Sequence, residues 1–146
     1  MAKTHRFFSH HTHEFLRVGA CTPVASVGDI AANVRETIAL AKRGHKEACD
    51  LLVYPELNLT SYAIDDLHLQ QTIQRATEEA LAEVAAATAK LRPVLLVGAA
   101  IPRNGRLYNC AVAIHRGRIL GIVPKTFLPN YREYYEKRWF ASGDGV

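Results

Sequence analysis

The hydrophobic positions fall into short apolar runs, separated early in the chain by two long stretches with helical spacing and later only by tight turns. Residues 15–20, FLRVGA, read as a first strand. Ser26, Gly28 and Asp29 mark a turn and a helix start. Over residues 30–48, Ile30, Val34, Ile38, Leu40 and Ala41 keep near-helical spacing, while Arg35, Glu36, Lys42, Arg43 and Lys46 form a charged outer face. That pattern predicts a helix lying on a sheet. Residues 50–54, DLLVY, are short and almost wholly apolar, which predicts a strand buried on both faces and ended by Pro55. Residues 67–92 carry a second stripe, Ile73, Ala76, Ala80, Leu81, Val84 and Ala87, and predict one long helix stopped by Pro93. VLLVGAAI (residues 94–101) is a third buried strand. Asn104-Gly105 turns it into a strand over 107–114, and Arg116-Gly117 turns again into 118–123.

The order β-α-β-α-β-β-β predicts an α/β fold with a mixed sheet. Right-handed crossovers build its first part and a meander finishes it. Two helices cover only one face of such a sheet. The other face needs a cover, so the chain is expected either to associate or to be part of something longer. The final residues, ASGDGV, read as a loop leading into a strand that does not follow.

Composition narrows the class. The chain has 146 residues, enough for one domain, with 49% hydrophobic and 22% charged residues, the mix of a soluble globular protein. The net charge of +4 is scattered rather than gathered into a basic stripe, so no nucleic-acid partner is inferred. No apolar run approaches the roughly 20 residues that span a bilayer. The N-terminus lacks the apolar centre of a secretion signal, and the three cysteines, Cys21, Cys49 and Cys110, are isolated. A cytoplasmic location is the expectation. No Cys/His metal pattern is present. His5, His10, His11 and His13 crowd the head and could catch a transition metal, but with no second cluster the head reads as a flexible arm.

Three segments place polar residues where buried strands end, the usual position of sites in α/β proteins. Glu56 follows the DLLVY strand; desolvation there favours the protonated carboxyl, which suits a general base near neutral pH. From spacing alone it reads first as a capping or hydrogen-bonded structural residue. Lys125 follows the last strand and could stabilise an oxyanion, or be an ordinary solvated lysine. PNYREYYEKRWF (residues 129–140) mixes rings and charges, as either a recognition surface or a short helix packing its rings on the core. Asp65-Asp66 resembles a paired-carboxylate site but reads more simply as the cap of the helix beginning near Leu67.

Three motifs, YPELNLTSYAIDDL (54–67), LYNCAVAIHRGRILGIVPKTFLPNYREYYEKRWF (107–140) and SGDG (142–145), resemble the nitrilase (carbon–nitrogen hydrolase) superfamily. Within it they are most similar to the glutaminase domains of glutamine-dependent NAD+ synthetases. The resemblance implies part of an α-β-β-α sandwich, with residues 1–146 as the N-terminal part of the domain. It assigns the family's catalytic glutamate to Glu56, its lysine to Lys125 and a supporting second glutamate to Glu133, and lines a glutamine pocket with Tyr62 and Tyr131.

The implied chemistry is hydrolysis of the glutamine side-chain amide by a cysteine thiolate. The ammonia would serve ATP-dependent amidation of nicotinic acid adenine dinucleotide in a separate synthetase domain, with ATP and Mg2+ belonging to that domain and no cofactor to these residues. The family's nucleophilic cysteine comes after the PNYRE segment, and Cys110 precedes Lys125. The chain is therefore expected to be a truncated part, inactive alone, with glutamine as substrate of the complete domain, the missing C-terminal part as partner, and homo-oligomers as a consequence of the open face. Another amidase of the superfamily and a non-catalytic association module are the alternatives.

Overall fold

The computed structural model describes residues 6–146. His5 lies outside them. The predicted order holds: β1 (Val18–Ala20), α1 (Ile30–Lys46), β2 (Leu51–Val53), α2 (Gln71–Ala87), β3 (Val94–Arg103), β4 (Arg106–His115) and β5 (Arg118–Pro124). The five strands form one mixed sheet in sequence order. β1, β2 and β3 are parallel, whereas β4 and β5 each run antiparallel to the strand before. Both hairpin turns place two residues at positive φ, Asn104-Gly105 and Arg116-Gly117, the backbone twist that matches paired strands. Within the last hairpin Ile114 pairs with Ile119 but Ala113 pairs with Gly121, so Leu120 is an extra residue forming a bulge.

Both helices lie on one face. Val34 and Ala41 of α1 and Ala80, Leu81, Val84 and Ala85 of α2 pack with Leu52, Leu95, Val97, Ala99, Cys110, Val112 and Ile114 in the main core. Each fully buried aliphatic side chain there contributes roughly 1.5–3 kcal/mol. The opposite face carries Val53, Leu96, Ala111 and Val123 along an open groove, and Val123 is 68% exposed.

α1 starts where expected, Asp29 accepting the Ala32 N–H at 2.9 Å. Its buried side also holds polar groups. Asn33 donates to the carbonyls of Ser26 and Leu59, Asn58 donates to Thr37 Oγ1 at 2.8 Å, and the Tyr54 hydroxyl donates to the Thr37 carbonyl at 2.8 Å. These bonds satisfy buried polar atoms and pin residues 54–60, the segment after β2, against the helix. The second helix differs from the expectation. Residues Asp65–Leu69 form a separate 3-10 turn, Gln70 is extended, and α2 closes at Ala87, with Thr88 donating back to the Val84 carbonyl. Asp65 and Asp66 do not cap α2, because both bind the 135–139 segment instead. The head is also not a free arm: residues His10–His13 make a 3-10 turn whose His10 reaches Asp50.

His68 is fully buried beside Trp139 and Phe140. Burial lowers its proton affinity below the ordinary imidazole value, only partly offset by the Tyr62 backbone and the Asp65 charge. The unfolded chain therefore binds more protons than the folded one below about pH 6.5. Stability should be full above that pH and fall as pH drops beneath it. Thermal unfolding followed from about pH 7.5 to about pH 5 should show this, and a His68→Phe variant should lose that part of the slope.

Candidate active site

β2, β3 and β5 run in one direction, so their C-terminal ends share an edge of the sheet. Glu56 follows β2 and Lys125 follows β5. The turn carrying Glu56 is held by Leu57, fully buried with φ of 50°, and by a close approach to β3 at Gly98. A Cβ at Gly98 would stand 2.4 Å from both the Leu57 nitrogen and the Pro55 carbonyl oxygen. The backbone of Lys125 is fixed on both sides, its N–H donating to the Asn109 carbonyl at 2.7 Å and its carbonyl accepting from Gly143 at 2.9 Å.

The two side chains meet. Lys125 Nζ donates to Glu56 Oε1 at 2.7 Å and to Glu136 Oε1 at 3.0 Å. Asn109 Nδ2 donates to the same Glu56 oxygen at 2.5 Å. Glu56 Oε1 thus takes two donors, which leaves Oε2 for a further proton. Tyr62 completes the cluster, its hydroxyl donating to Glu136 Oε1 at 2.8 Å. Burial, and then this bond to a carboxylate, push the Tyr62 hydroxyl well above the usual phenol range, so it stays a donor. Burial alone would lower the affinity of Lys125 for its proton, but the bonds to Glu56 and Glu136 prevail and raise it, keeping an ammonium in place. Glu56, Asn109 and Lys125 border the open groove, about 410 Å³, that also exposes Leu96, Gly98, Ala111 and Val123.

The segment after Lys125 supplies the second carboxylate, but not from the expected position. Glu133 is exposed and makes no hydrogen bond or ion pair among the described residues. Glu136 is 1% exposed and meets Lys125. Residues 129–135 are irregular, with a bend and turn over 131–133 that puts Arg132 at φ of 52°, and only Glu136–Arg138 form a 3-10 turn. Trp139 and Phe140 are buried with Leu57, Ala100 and Leu107, which anchors Glu136 inward. Asp66 clamps the same piece from outside, accepting Arg138 Nε and Nη2 at 2.6 Å each and Trp139 Nε1 at 2.9 Å. Tyr131 is 63% exposed and packs edge-on against Tyr134, apart from the hydrogen bonds that join the site. The rings of PNYREYYEKRWF therefore divide: Trp139 and Phe140 belong to the core, and Tyr131, Tyr134 and Tyr135 to the surface.

Sequence reasoning overlooked Glu136 and Asn109. Glu136 is three and four residues before Trp139 and Phe140, so a buried aromatic pair at that spacing signals a buried acid on the same side. Asn109 is the lone polar residue of the alternating set Leu107, Asn109, Ala111, Ala113.

None of the cysteines joins this cluster. Cys110 packs in the core under the helices, and burial pushes its thiol up to about 11. Cys49 is buried, and burial also raises the Cys21 thiol. A carboxylate with one free oxygen beside a charged ammonium can accept a proton and stabilise a nascent oxyanion.

The sequence profile of the carbon-nitrogen hydrolase family matches residues 17–146. A glutamine-dependent NAD(+) synthetase from Mycobacterium bovis is 47% identical over 139 residues, 95% of this chain and 20% of that protein. One from Aquifex aeolicus is 35% identical over 120 residues, 82% of this chain and 21% of that protein. The chain spans about a fifth of the length of these curated relatives. The crystal structure of a glutamine-dependent NAD(+) synthetase from Cytophaga hutchinsonii superposes with a TM-score of 0.81 at 27% identity, covering 87% of this chain and 22% of that one. An amidase from Nesterenkonia sp. shares the fold, with a TM-score of 0.77 at 19% identity over 88% of this chain and 48% of its own.

Proposed function

This chain belongs to the carbon–nitrogen hydrolase family, and from that premise we propose that it forms part of a glutaminase, cleaving the side-chain amide of glutamine to release ammonia. The observation carrying this reading is the Glu56–Lys125–Glu136 cluster at one sheet edge. Identity to glutamine-dependent NAD(+) synthetases over nearly the whole chain supports glutamine as the amide.

In this reading Glu56 Oε2 takes the proton of a thiol, while Asn109 and Lys125 hold Oε1 and fix the carboxylate in place. The thiolate attacks the amide carbon. Lys125 faces the oxygen on which negative charge develops, and Glu136 keeps the ammonium aimed from behind. The proton held by Glu56 goes to the departing nitrogen and ammonia leaves. Water, deprotonated by Glu56, then hydrolyses the glutamyl thioester. Cys110 lies in the core under the helices, so the reading takes the attacking thiol from elsewhere in the polypeptide. Tyr62, which donates to Glu136 at 2.8 Å, would line the glutamine pocket on that side; the roles expected for Tyr131 and Glu133 would require their exposed segment to turn inward around bound glutamine. A second sheet of the sandwich would cover the groove face. The ammonia would feed ATP-dependent amidation of nicotinic acid adenine dinucleotide.

A Glu56→Gln substitution in the polypeptide that includes the thiol should leave folding intact and cut ammonia release from glutamine by roughly 10²–10⁴-fold. Undiminished release would remove Glu56 from the chemistry. Faster turnover of simple aliphatic amides than of glutamine would redirect the reading to another amidase.

A further inference from the structure

At the N-terminal end of β2, remote from Glu56 at its other end, His10, His11 and Asp50 present three donor atoms within 4.8 Å of one another. His10 Nε2 is 3.3 Å from Asp50 Oδ2, and His11 Nε2 is 3.4 Å from Asp50 Oδ1. Ligands about 2.0–2.1 Å from a tetrahedral zinc ion stand about 3.3–3.4 Å apart, which is the separation of each imidazole nitrogen from the carboxylate oxygen it faces. Consecutive residues of a 3-10 helix point about 120° apart, yet both rings turn to one carboxylate, with centroids 4.0 Å apart. Asp50 is pre-positioned. The Arg17 N–H donates to Oδ2 at 2.9 Å and Arg92 to Oδ1 at 2.7 Å. These bonds fix the orientation of the carboxylate. Arg92 Nη2 also touches His11 Nε2. Its guanidinium thus occupies the cation's place, on a side chain 43% exposed that is able to swing out.

We propose that His10, His11 and Asp50 form a binding site for a divalent transition metal, Zn2+ above all, that displaces the Arg92 guanidinium and clasps the N-terminal segment to the start of β2. Imidazole donors select such ions over Mg2+ or Ca2+, and water supplies the remaining position. The site is independent of the glutaminase reading.

The test is isothermal titration of ZnCl2 into the polypeptide without a purification tag, with circular dichroism confirming the fold of each variant. One equivalent should bind and raise the unfolding temperature by mass action, and MgCl2 should do neither. Loss of an outer partner of a metal site already costs roughly 10–100-fold in affinity, so His10→Ala and His11→Ala should each weaken binding by at least about tenfold. Arg92→Gln should tighten it several-fold by removing the competing cation. Absence of saturable binding, zinc uptake indifferent to both histidine variants, or an Arg92→Gln protein that binds no tighter would each overturn the proposal.

Discussion

Replacing Lys125 with methionine, in the polypeptide that includes the attacking thiol, is expected under the proposed glutaminase reading to slow glutamine hydrolysis by roughly 10²–10³-fold and to lower stability by about 3 kcal/mol. The first figure is the usual loss when one oxyanion donor is removed from a pre-organised site. The second follows from Glu136, which is 1% exposed and depends on Lys125 and Tyr62 for compensation. Taking away the ammonium leaves a buried carboxylate with one phenolic donor. Combining Lys125→Met with Glu136→Gln should restore part of the stability, because the side chain left behind is neutral, and restore none of the activity. Urea unfolding of the four proteins of this cycle gives the coupling directly. Strictly additive losses would mean that the two residues act separately and would break the account of Glu136 as the lysine's support.

Gly98→Ala is the second large effect. The new methyl would press on the backbone of Pro55 and Leu57, which flexible side chains cannot relieve. Either β3 or the Glu56 turn must move. Overpacking of a rigid contact costs about 3 kcal/mol at the upper end of its usual range, a large share of the roughly 5–15 kcal/mol of a typical domain. Gly121→Ala is the control. It sits in β5 with nothing within 4 Å of the added carbon, and its change should stay within about 0.5 kcal/mol. Activity in Gly98→Ala should fall further than stability alone explains, since Glu56 is displaced from Lys125. Equal behaviour of the two variants would show that the turn tolerates the methyl and that the contact does not position Glu56.

Much of the architecture was legible because its signals are local. Asn104-Gly105 and Arg116-Gly117 announce turns with positive φ, and the stripe from Ile30 to Ala41 announces a helix that Asp29 caps. The meeting of Glu56 and Lys125 was legible for a topological reason: a meander of two hairpins returns β5 to the direction of β2, so both C-terminal ends arrive at one edge. What escaped depends on distant partners. Asp65 and Asp66 look like a cap until Tyr135, Arg138 and Trp139 claim them, and the helix then begins only at Gln71. Glu133 and Glu136 are alike in local sequence. Burial of Trp139 and Phe140 decides between them, and that contact spans much of the chain. The His10 and His11 side chains gained a partner, Asp50, forty residues away by way of the fold.

The bulge at Leu120 acts as a phase shifter for the final strand. Counting from the Arg116-Gly117 turn without the extra residue, Lys125 would fall opposite Tyr108 and project into the helix-side core. With it, Lys125 stands beside Asn109 and on the face where Glu56 waits. A single exposed leucine, touching neither carboxylate, thereby decides which side of the sheet receives the positive charge.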